Sequence, residues 1–353
     1  MKKREKINIK SLVLNTAVGF VVSVAVSVYA FGFICENKFE NKYKSSDEAV
    51  FGFTDEYETP KSEPVFVHAL TQEEIEKQDE ATNTAQSGEK INISSDLQQL
   101  KNFDFLKRNF YIVDKRTELT ANDIDAEKFA NMDFSLDESQ KGPKVLIFHT
   151  HSSEMFADSD PSKGLSEGIW GAGERLKNIL QEKYGIEVLH DSGRYDVVNG
   201  KGQITGAYER MEPNIRKILA DNPSIQVAID MHRDGVADGV RLVTEQKGKK
   251  CAKIMFFNGI CRLNKNGALQ SIQSLPNQYI TDNLAFSFNM QLVANKLYPG
   301  FTRRIYINAY RYSLHMLPKS LLIEVGAQTN TKEEVLNSMD ILAEILADVI
   351  KPK

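Results

Sequence analysis

The fold is decided by residues 145–154, which read VLIFHTHSSE. Residues 145–149 are mostly apolar and follow Pro143, a pattern that predicts a buried strand. Ionisable residues come directly after it. In α/β proteins the strands of a parallel sheet end at one edge, where ligands bind. The stretch therefore predicts a parallel sheet with a functional site where this strand ends.

Downstream of this strand, apolar runs of strand length alternate with amphipathic stretches of helical period. Gly185 is placed to end the first helix, and turn residues 248–250 within residues 240–257 predict a hairpin added to the sheet. Strands separated by helices predict an α/β fold, with a largely parallel twisted sheet and helices on both faces. The predicted strands are residues 145–149, 186–190, 225–231 and 321–325, and the predicted helices are residues 171–183, 214–220 and about 333–350.

The composition is that of a globular protein without a strong net charge. Of 353 residues, 41% are hydrophobic and 26% are charged, so a well-buried core is expected. The 44 Lys and Arg residues nearly balance the 48 Asp and Glu residues, and the formal charge of -4 provides no field for holding a polyanion. Nucleic acid is therefore not expected as a partner.

The cysteines carry no recognisable motif. Cys35, Cys251 and Cys261 are too few for a disulfide framework, and no CxxC spacing indicates a thiolate metal site. A bridge between Cys251 and Cys261 is compatible with a domain outside the cytoplasm. Two separately packed thiols are the favoured prediction, because cysteine is commonly buried as a small hydrophobe.

Residues 11–35 contain no charged side chain. A helix of this length is long enough to cross a bilayer core of roughly 30 Å. A cleavable signal peptide is the alternative, but its apolar part is only about 7 to 15 residues long. The basic residues before the run and Glu36 after it predict that the C-terminal part lies outside the cytoplasm. We therefore expect a single-pass membrane anchor with an extracytoplasmic domain.

The rest of the chain divides by composition. Residues 36–99 are polar and acidic with little apolar periodicity, which is typical of a linker. Apolar spacing returns in residues 100–140, a segment that leads into the folded domain. The predicted organisation is a cytoplasmic tail at residues 1–10, an anchor at 11–35, a linker at 36–99, a lead-in segment at 100–140 and a catalytic domain at 141–353.

Three of the predicted strands end in ionisable residues. The first runs into HTHSSE, the second into His232 and the third into Glu324. A catalytic zinc ion takes three protein ligands, often two imidazoles and a carboxylate, and leaves a fourth position for water. His151 and Glu154, three residues apart, chelate from one turn, and His232 arrives from a neighbouring strand. Glu324 is then the general base, next to the metal-activated water.

Several of these assignments have alternatives. His149 lies nearer to the strand than His151 and is either the alternative metal ligand or a group that orients one. Glu324 is alternatively held in a structural ion pair, with Arg304 or Arg311 as its partner. The remaining polar groups at similar edges are candidates for substrate contacts, namely His190, Arg233 and His315.

Three motifs follow one another along the chain. They are GPKVLIFHTHSSE at residues 142–154, IDMHRD at residues 229–234 and PKSLLIEVGAQTNT at residues 318–331. In their order and spacing they resemble the stage II sporulation protein P family. The resemblance covers about residue 100 to the C-terminus, including NFYIVD at residues 109–114, and the predicted anchor agrees with the topology of the family.

This resemblance implies an activity and a setting. The implied activity is that of a zinc N-acetylmuramoyl-L-alanine amidase, and endopeptidase activity on crosslinked stem peptides is also ascribed to the family. The substrate would be peptidoglycan of the forespore septum, thinned during engulfment in endospore formation. The implied partners are the stage II sporulation proteins D and M.

The resemblance also implies a zinc-amidase fold of the phosphorylase/hydrolase-like type. Zinc would be held there by His151, Glu154 and His232, with Glu324 as the catalytic residue. The broader amidases take their carboxylate ligand from a helix after the first His, so Glu167 or Glu174 is the alternative to Glu154.

Two alternative hypotheses place the chain in other classes of protein. One is a catalytically silent module that binds the wall and scaffolds an engulfment complex, although a scaffold needs no acid at position 324. The other is a zinc peptidase similar to carboxypeptidases, which the His-x-x-Glu spacing suits.

Overall fold

A seven-stranded sheet organises residues 97–351, the part of the chain that this computed structural model describes. The predicted cytoplasmic tail, the anchor at residues 11–35 and nearly all of the linker lie outside these residues. Within the described part, no helix has both the length and the apolar character that a membrane crossing requires.

The strands and helices are numbered in chain order. The strands are β1 (Tyr111–Val113), β2 (Val145–Phe148), β3 (Val188–His190), β4 (Val197–Val198), β5 (Lys201–Gly202), β6 (Val227–Asp234), β7 (Val243–Gln246), β8 (Lys249–Ala252), β9 (Ile254–Gly259), β10 (Arg262–Lys265), β11 (Ala268–Ser271), β12 (Ile305–Asn308) and β13 (Lys319–Ala327). The α-helices are α1 (Leu97–Leu100), α2 (Phe103–Phe110), α3 (Ala126–Ala130), α4 (Ile169–Tyr184), α5 (Ala207–Asp221), α6 (Ile280–Leu297) and α7 (Lys332–Ile350).

The central sheet has the strand order β1-β12-β9-β13-β6-β2-β3. All neighbouring strands are parallel except β9 and β13, which pair in antiparallel fashion. The expectation of an α/β fold with a mostly parallel sheet is confirmed. The antiparallel joint divides the sheet into two parallel groups that run in opposite directions, a division that the sequence did not predict.

Helices cover both faces of the sheet. The larger core packs α4, α6 and α7 against one face, where Ile147, Ile229 and Ile323 are fully buried. A smaller core on the other face packs Met211 and Ile215 of α5 against β2 and β6. The helix α4 ends at Gly185, whose backbone has a φ of 67° and whose N–H caps two carbonyls of the last turn. Glycine adopts this left-handed conformation without a steric cost.

The lead-in segment is part of the same folded unit. Its strand β1 forms one edge of the central sheet, and Phe110 and Phe129 pack against Phe288 of α6 at ring-centroid distances of 5.4 and 6.1 Å. Leu136 donates its backbone N–H to the carbonyl of Ile350, at the end of α7. The larger core therefore includes residues of the lead-in segment and begins before residue 141.

The predicted hairpin forms between β7 and β8. The strand that follows it, β9, enters the central sheet instead of belonging to the hairpin. Cys251 and Cys261 are both buried and unbridged, and β9 separates them. Six extended residues span roughly 20 Å, about three times the reach of a disulfide between Cα atoms. The favoured prediction of two separately packed thiols is thus the one observed.

Candidate metal centre

The turn that follows β2 is fixed by two buried carboxylates. Asp230 accepts hydrogen bonds from the backbone N–H and the Oγ1 of Thr150, at 2.9 and 2.7 Å. Asp196 accepts from the Oγ of Ser152 and the backbone N–H of Ser153, both at 2.8 Å. The turn is therefore held in one conformation by side chains from distant parts of the chain.

His151, Glu154 and His232 converge at this turn. Their ligand atoms all lie within 4.8 Å of one another, and they form a group of three metal-binding side chains among the described residues. The Oε1 atom of Glu154 is 3.6 Å from the Nδ1 of His151 and 3.8 Å from the Nδ1 of His232. Both distances are too long for hydrogen bonds. They are close to the roughly 3.4 Å that separates two ligands of a tetrahedral zinc ion, so the donor set fits that metal.

The second oxygen of Glu154 is held by the backbone. Its Oε2 accepts a hydrogen bond from the backbone N–H of Arg233 at 2.8 Å. Burial favours the neutral acid, but the imidazoles of His151 and His232 outweigh it and hold the pKa of Glu154 well below its usual range. The carboxylate is thus ionised and oriented, as a metal ligand must be.

Asp230 also lies beside the imidazole of His232. The Nε2 atom of His232 is 2.9 Å from Oδ1 of Asp230, although its N–H direction departs from a well-aligned hydrogen bond. Burial lowers the pKa of His232, but Asp230 and Glu154 overcome this effect and raise it well above its ordinary value. A carboxylate in contact with the outer nitrogen of a ligating His fixes its ring orientation. The sequence signal for this role is an Asp within the apolar run of β6.

Glu324 lies opposite His232 in the parallel register of β13 and β6. Burial, with smaller contributions from Asp234 and Glu154, raises the pKa of Glu324 to about 8 against the opposing effect of His232 and Arg303. Its Oε2 is buried and has no hydrogen-bond partner among the described residues. Glu324 is therefore a half-buried acid with one buried oxygen, beside His232 in the sheet.

The cations proposed as structural partners of Glu324 have other contacts. Arg304 donates to the carbonyl of Arg108 at 2.6 Å, and Arg311 pairs with Glu212 at 2.8 Å. The cation that acts on the pKa of Glu324 is Arg303, which is itself paired with Asp234 at 2.6 Å.

His149 does not join the cluster. Its Nδ1 is 2.9 Å from the carbonyl oxygen of Met231, and its Nε2 is 2.9 Å from the Nε2 of His190. Burial and the neighbouring His190 lower the pKa of His149 to about 3. Of the two histidines left open by the sequence, the structure places His151 beside Glu154 and His232.

The alternative carboxylates also lie elsewhere. Glu167 pairs with Lys332 at 2.5 Å, and Glu174 contacts His190 at 2.8 Å and Lys177 at 2.9 Å. Of the three carboxylates considered as ligands, the structure places only Glu154 in the group of metal-binding side chains.

The residues predicted to contact substrate have structural partners. Arg233 donates from Nε to the carbonyl of Met155 at 2.9 Å, which supports the turn that carries Glu154. His315 lies 3.1 Å from both the carbonyl of Tyr312 and the carboxylate of Glu212. Substrate contact by these residues stays a prediction.

One aromatic neighbour of the cluster was not foreseen. Tyr208, in the first turn of α5, meets the ring of His151 edge-on at a centroid distance of 5.8 Å. Tyr208 is half-buried and lies in a stretch that the sequence did not assign to a helix. No residue pattern marked it, because its contact with His151 depends on how α5 packs.

Two imidazoles and a carboxylate lie at the ends of parallel strands, beside a second, half-buried carboxylate. They define the class of the protein, an α/β protein with a candidate mononuclear metal centre. The chain belongs to the stage II sporulation protein P family, whose family model matches residues 36–347. The stage II sporulation protein P of Bacillus subtilis (strain 168) is 22% identical over 218 residues, covering 58% of this chain and 50% of that protein. The chain thus spans about half the length of the curated relative that it matches.

Solved structures with some similarity are N-acetylmuramoyl-L-alanine amidases. One, from Clostridium difficile 630, is 17% identical with a TM-score of 0.34, and the match covers 59% of this chain and 95% of that one. Another is the CwlD amidase from Clostridioides difficile, solved in complex with the GerS lipoprotein, at 18% identity and a TM-score of 0.33, with 58% and 93% covered. Similarities this remote carry no functional argument.

Proposed function

We propose that this protein is a zinc-dependent peptidoglycan hydrolase that cleaves the amide bond between N-acetylmuramic acid and L-alanine. Endopeptidase cleavage of crosslinked stem peptides is included in the proposal. The observation that carries it is the convergence of His151, Glu154 and His232, with Glu324 in register beside His232. Membership of the stage II sporulation protein P family supports peptidoglycan as the substrate.

The roles of the residues follow from their positions. His151, Glu154 and His232 would hold zinc, which supplies Lewis-acid polarisation of a carbonyl and activation of water at neutral pH. Glu324 would accept the proton of the attacking water and later deliver it to the departing amine. Its buried Oε2 has no hydrogen-bond partner among residues 97–351, so this oxygen is available to take up a proton.

The setting is proposed from the family and from the sequence. The protein would be held in the membrane by residues 11–35 and would act outside the cytoplasm, on the septal wall during engulfment in endospore formation. The stage II sporulation proteins D and M would be its partners. Protease added to intact protoplasts should degrade the domain that begins near residue 97, whereas persistent protection would overturn this topology.

The hydrolase is tested by digestion of purified sacculi with the full-length protein. We expect release of stem peptides with a free L-alanine amino group, and one bound zinc per chain. His232→Ala should lose both the metal and the activity, because two protein ligands rarely hold a catalytic zinc ion.

Two outcomes would contradict the proposal. Wall binding without any released peptide would identify a silent scaffold, and release of C-terminal amino acids alone would identify a carboxypeptidase. Full zinc content in His232→Ala would remove this residue from the ligand set.

A further inference from the structure

Three ionisable side chains form a hydrogen-bonded row behind the metal centre. They are His149 at the end of β2, His190 at the end of β3 and Glu174 on α4. The Nε2 of His149 lies 2.9 Å from the Nε2 of His190, and the Nδ1 of His190 lies 2.8 Å from Oε2 of Glu174. We call these three residues the imidazole row. No part of it belongs to the His151, Glu154 and His232 cluster.

The row ends on the backbone that carries a proposed ligand. The Nδ1 of His149 is 2.9 Å from the carbonyl oxygen of Met231, the residue before His232. The pairing of β2 with β6 stops one residue earlier, at Phe148 and Asp230. The imidazole of His149 therefore contacts β6 just beyond the last paired residue. It occupies the place where a further backbone hydrogen bond between β2 and β6 would otherwise form. His149 itself lies two residues before His151, so one ring joins both ligand-bearing segments.

The hydrogen bonds at the two ends of the row have defined directions. The carbonyl of Met231 only accepts, so Nδ1 of His149 carries the hydrogen. The carboxylate of Glu174 likewise only accepts, so Nδ1 of His190 carries a hydrogen as well. The two Nε2 atoms, 2.9 Å apart, then share one hydrogen that joins the two rings. The orientation of His149 thus depends on a chain of contacts that begins at Glu174.

The helix α4 is shaped around the two rings. A Cβ atom at Gly173 would lie 2.6 Å from the Nε2 of His149 and 2.8 Å from the Nε2 of His190, so only glycine fits there. One turn earlier, the indole of Trp170 stacks on His190 at a centroid distance of 4.7 Å and an angle of 22°. Together they leave the side chain of His190 only 1% exposed.

We propose that the imidazole row is a positioning element that sets the relative placement of His151 and His232 by holding His149 against the carbonyl of Met231. This inference rests on the proposed metal centre. The row would not bind the metal itself, because its donor atoms face one another in pairs and no atom of the row belongs to the converging group. Its effect is on the affinity and geometry of the neighbouring site.

The first test is His190→Phe in the full-length protein. Phenylalanine keeps a flat ring beneath Trp170 but removes both nitrogens, so the Nε2 of His149 loses its hydrogen-bond partner. We expect the affinity for Zn²⁺, measured by competition with a chromophoric chelator, to fall about 10- to 100-fold. The visible absorption spectrum of bound Co²⁺ should change as well. Trp170→Phe is the matched control, which alters the same packing and removes the hydrogen bond from the indole to the carbonyl of Asp191 but leaves the hydrogen bonds of the row in place. It should keep wild-type affinity and spectrum.

A second pair of variants tests the far end of the row, where Glu174 is 34% exposed and tolerant of substitution. Glu174→Gln can donate from its amide to Nδ1 of His190, which leaves the Nε2–H of His190 for His149. We expect near-wild-type Zn²⁺ affinity for this variant. Glu174→Leu removes the partner and should lower the affinity in the same direction as His190→Phe. If His190→Phe does not fold, the comparison of Glu174→Gln with Glu174→Leu tests the role of the imidazole row instead.

The outcomes separate this inference from the proposed function. If His190→Phe or Glu174→Leu lowers the melting temperature while the folded fraction keeps wild-type Zn²⁺ affinity and Co²⁺ spectrum, the row is merely structural and the inference is overturned. If the wild-type protein binds metal but releases nothing from sacculi, only the proposed function fails. If the wild-type protein binds neither Zn²⁺ nor Co²⁺, both this inference and the proposed function fail.

Discussion

At the scale of single residues, the proposed chemistry rests on Glu324, a carboxyl group whose pKa is raised by burial. Glu324 lies beside His232 with its pKa raised to about 8. A base close to neutral pKa is suited to general acid–base catalysis. The same burial means that the ionised carboxylate destabilises the folded state. Replacement of Glu324 should therefore lower turnover and raise stability.

We expect Glu324→Gln to keep near-full zinc and wall binding, while turnover falls roughly 10²- to 10⁴-fold, the range that general base catalysis supplies. Glutamine keeps the size of the side chain and removes the proton acceptor. Zinc content and muropeptide release, measured on one preparation, check this expectation. A folded variant with undiminished turnover would exclude Glu324 from the mechanism.

The stability of this variant should depend on pH in a defined sense. A carboxyl whose folded pKa is raised stabilises the fold below its unfolded pKa of about 4.3, and this contribution is lost as the pH rises through about 8. With metal removed by a chelator, the melting temperature of Glu324→Gln should therefore rise relative to that of the wild type as the pH increases from 4 to 8. A structural ion pair at this position predicts the reverse.

The functional residues that the sequence analysis missed were all missed for one physical reason. Asp230, Asp196 and Tyr208 act through contacts between residues far apart in the chain, and single-sequence patterns report only local periodicity. The convergence of His151, Glu154 and His232 beside Glu324 was predictable because each residue lies within or soon after an apolar run of the sequence. Their roles stay predictions. Asp230 had a partial signal, since a carboxylate inside a buried strand requires a partner.

At the scale of elements, how well each helix or strand was predicted from the sequence depended on how much of it is buried. The helix α6 is buried on several sides, so its apolar residues form no stripe and show no helical period. Two short strands of the sheet, β1 and β12, also went unpredicted. Because β9 was assigned to a hairpin, the antiparallel joint with β13 could not be foreseen.

The helix α7 begins with a capping box, and Glu334 is its key side chain. Thr331 accepts from the backbone N–H of Glu334, and Oε2 of Glu334 accepts from the backbone N–H of Thr331 and from Asn330, both at 3.0 Å. Arg241 pairs with its other oxygen at 2.5 Å. These bonds outweigh burial and lower the pKa of Glu334.

We expect Glu334→Gln to lower the free energy of unfolding by about 1 to 2 kcal/mol at pH 7. A lowered folded pKa gives stability above the unfolded pKa of about 4.3, and this stability is lost as the pH falls through the folded pKa. The difference between variant and wild type should therefore shrink below about pH 4. Urea unfolding with chelator present, at pH 7 and near pH 3.5, measures both effects.

Glu333→Gln is the matched control, because Glu333 lies in the same turn of α7 and is exposed. It should leave stability unchanged at both pH values. Equal losses in the two variants would show that charge near the helix N-terminus matters and that the capping box does not.

At the scale of the whole molecule, the lead-in segment decides where the folded unit begins. Phe110 and Phe129 are buried against Phe288, and β1 completes the sheet edge. Removal of one buried Phe side chain costs about 3 to 5 kcal/mol. Loss of both approaches the total stability of about 5 to 15 kcal/mol that a domain has.

We therefore expect a fragment of residues 97–353 to fold and to bind metal, whereas a fragment of residues 141–353 should be largely unfolded. Circular dichroism during thermal unfolding and zinc content compare the two. A cooperative transition in the shorter fragment at the same temperature as in the longer one would place the boundary of the catalytic domain near residue 141 after all.

The antiparallel joint between β9 and β13 also bears on protein engineering. Because β9 starts beside Val325 and ends beyond Leu322, the chain leaves the sheet at the edge opposite to the metal centre. The β10–β11 hairpin follows there, and its turn residue Gly267 has open space around it. A fluorescent protein or epitope tag spliced at Gly267 would follow the end of β9 that lies away from Glu324, which offers a way to follow the protein in living cells.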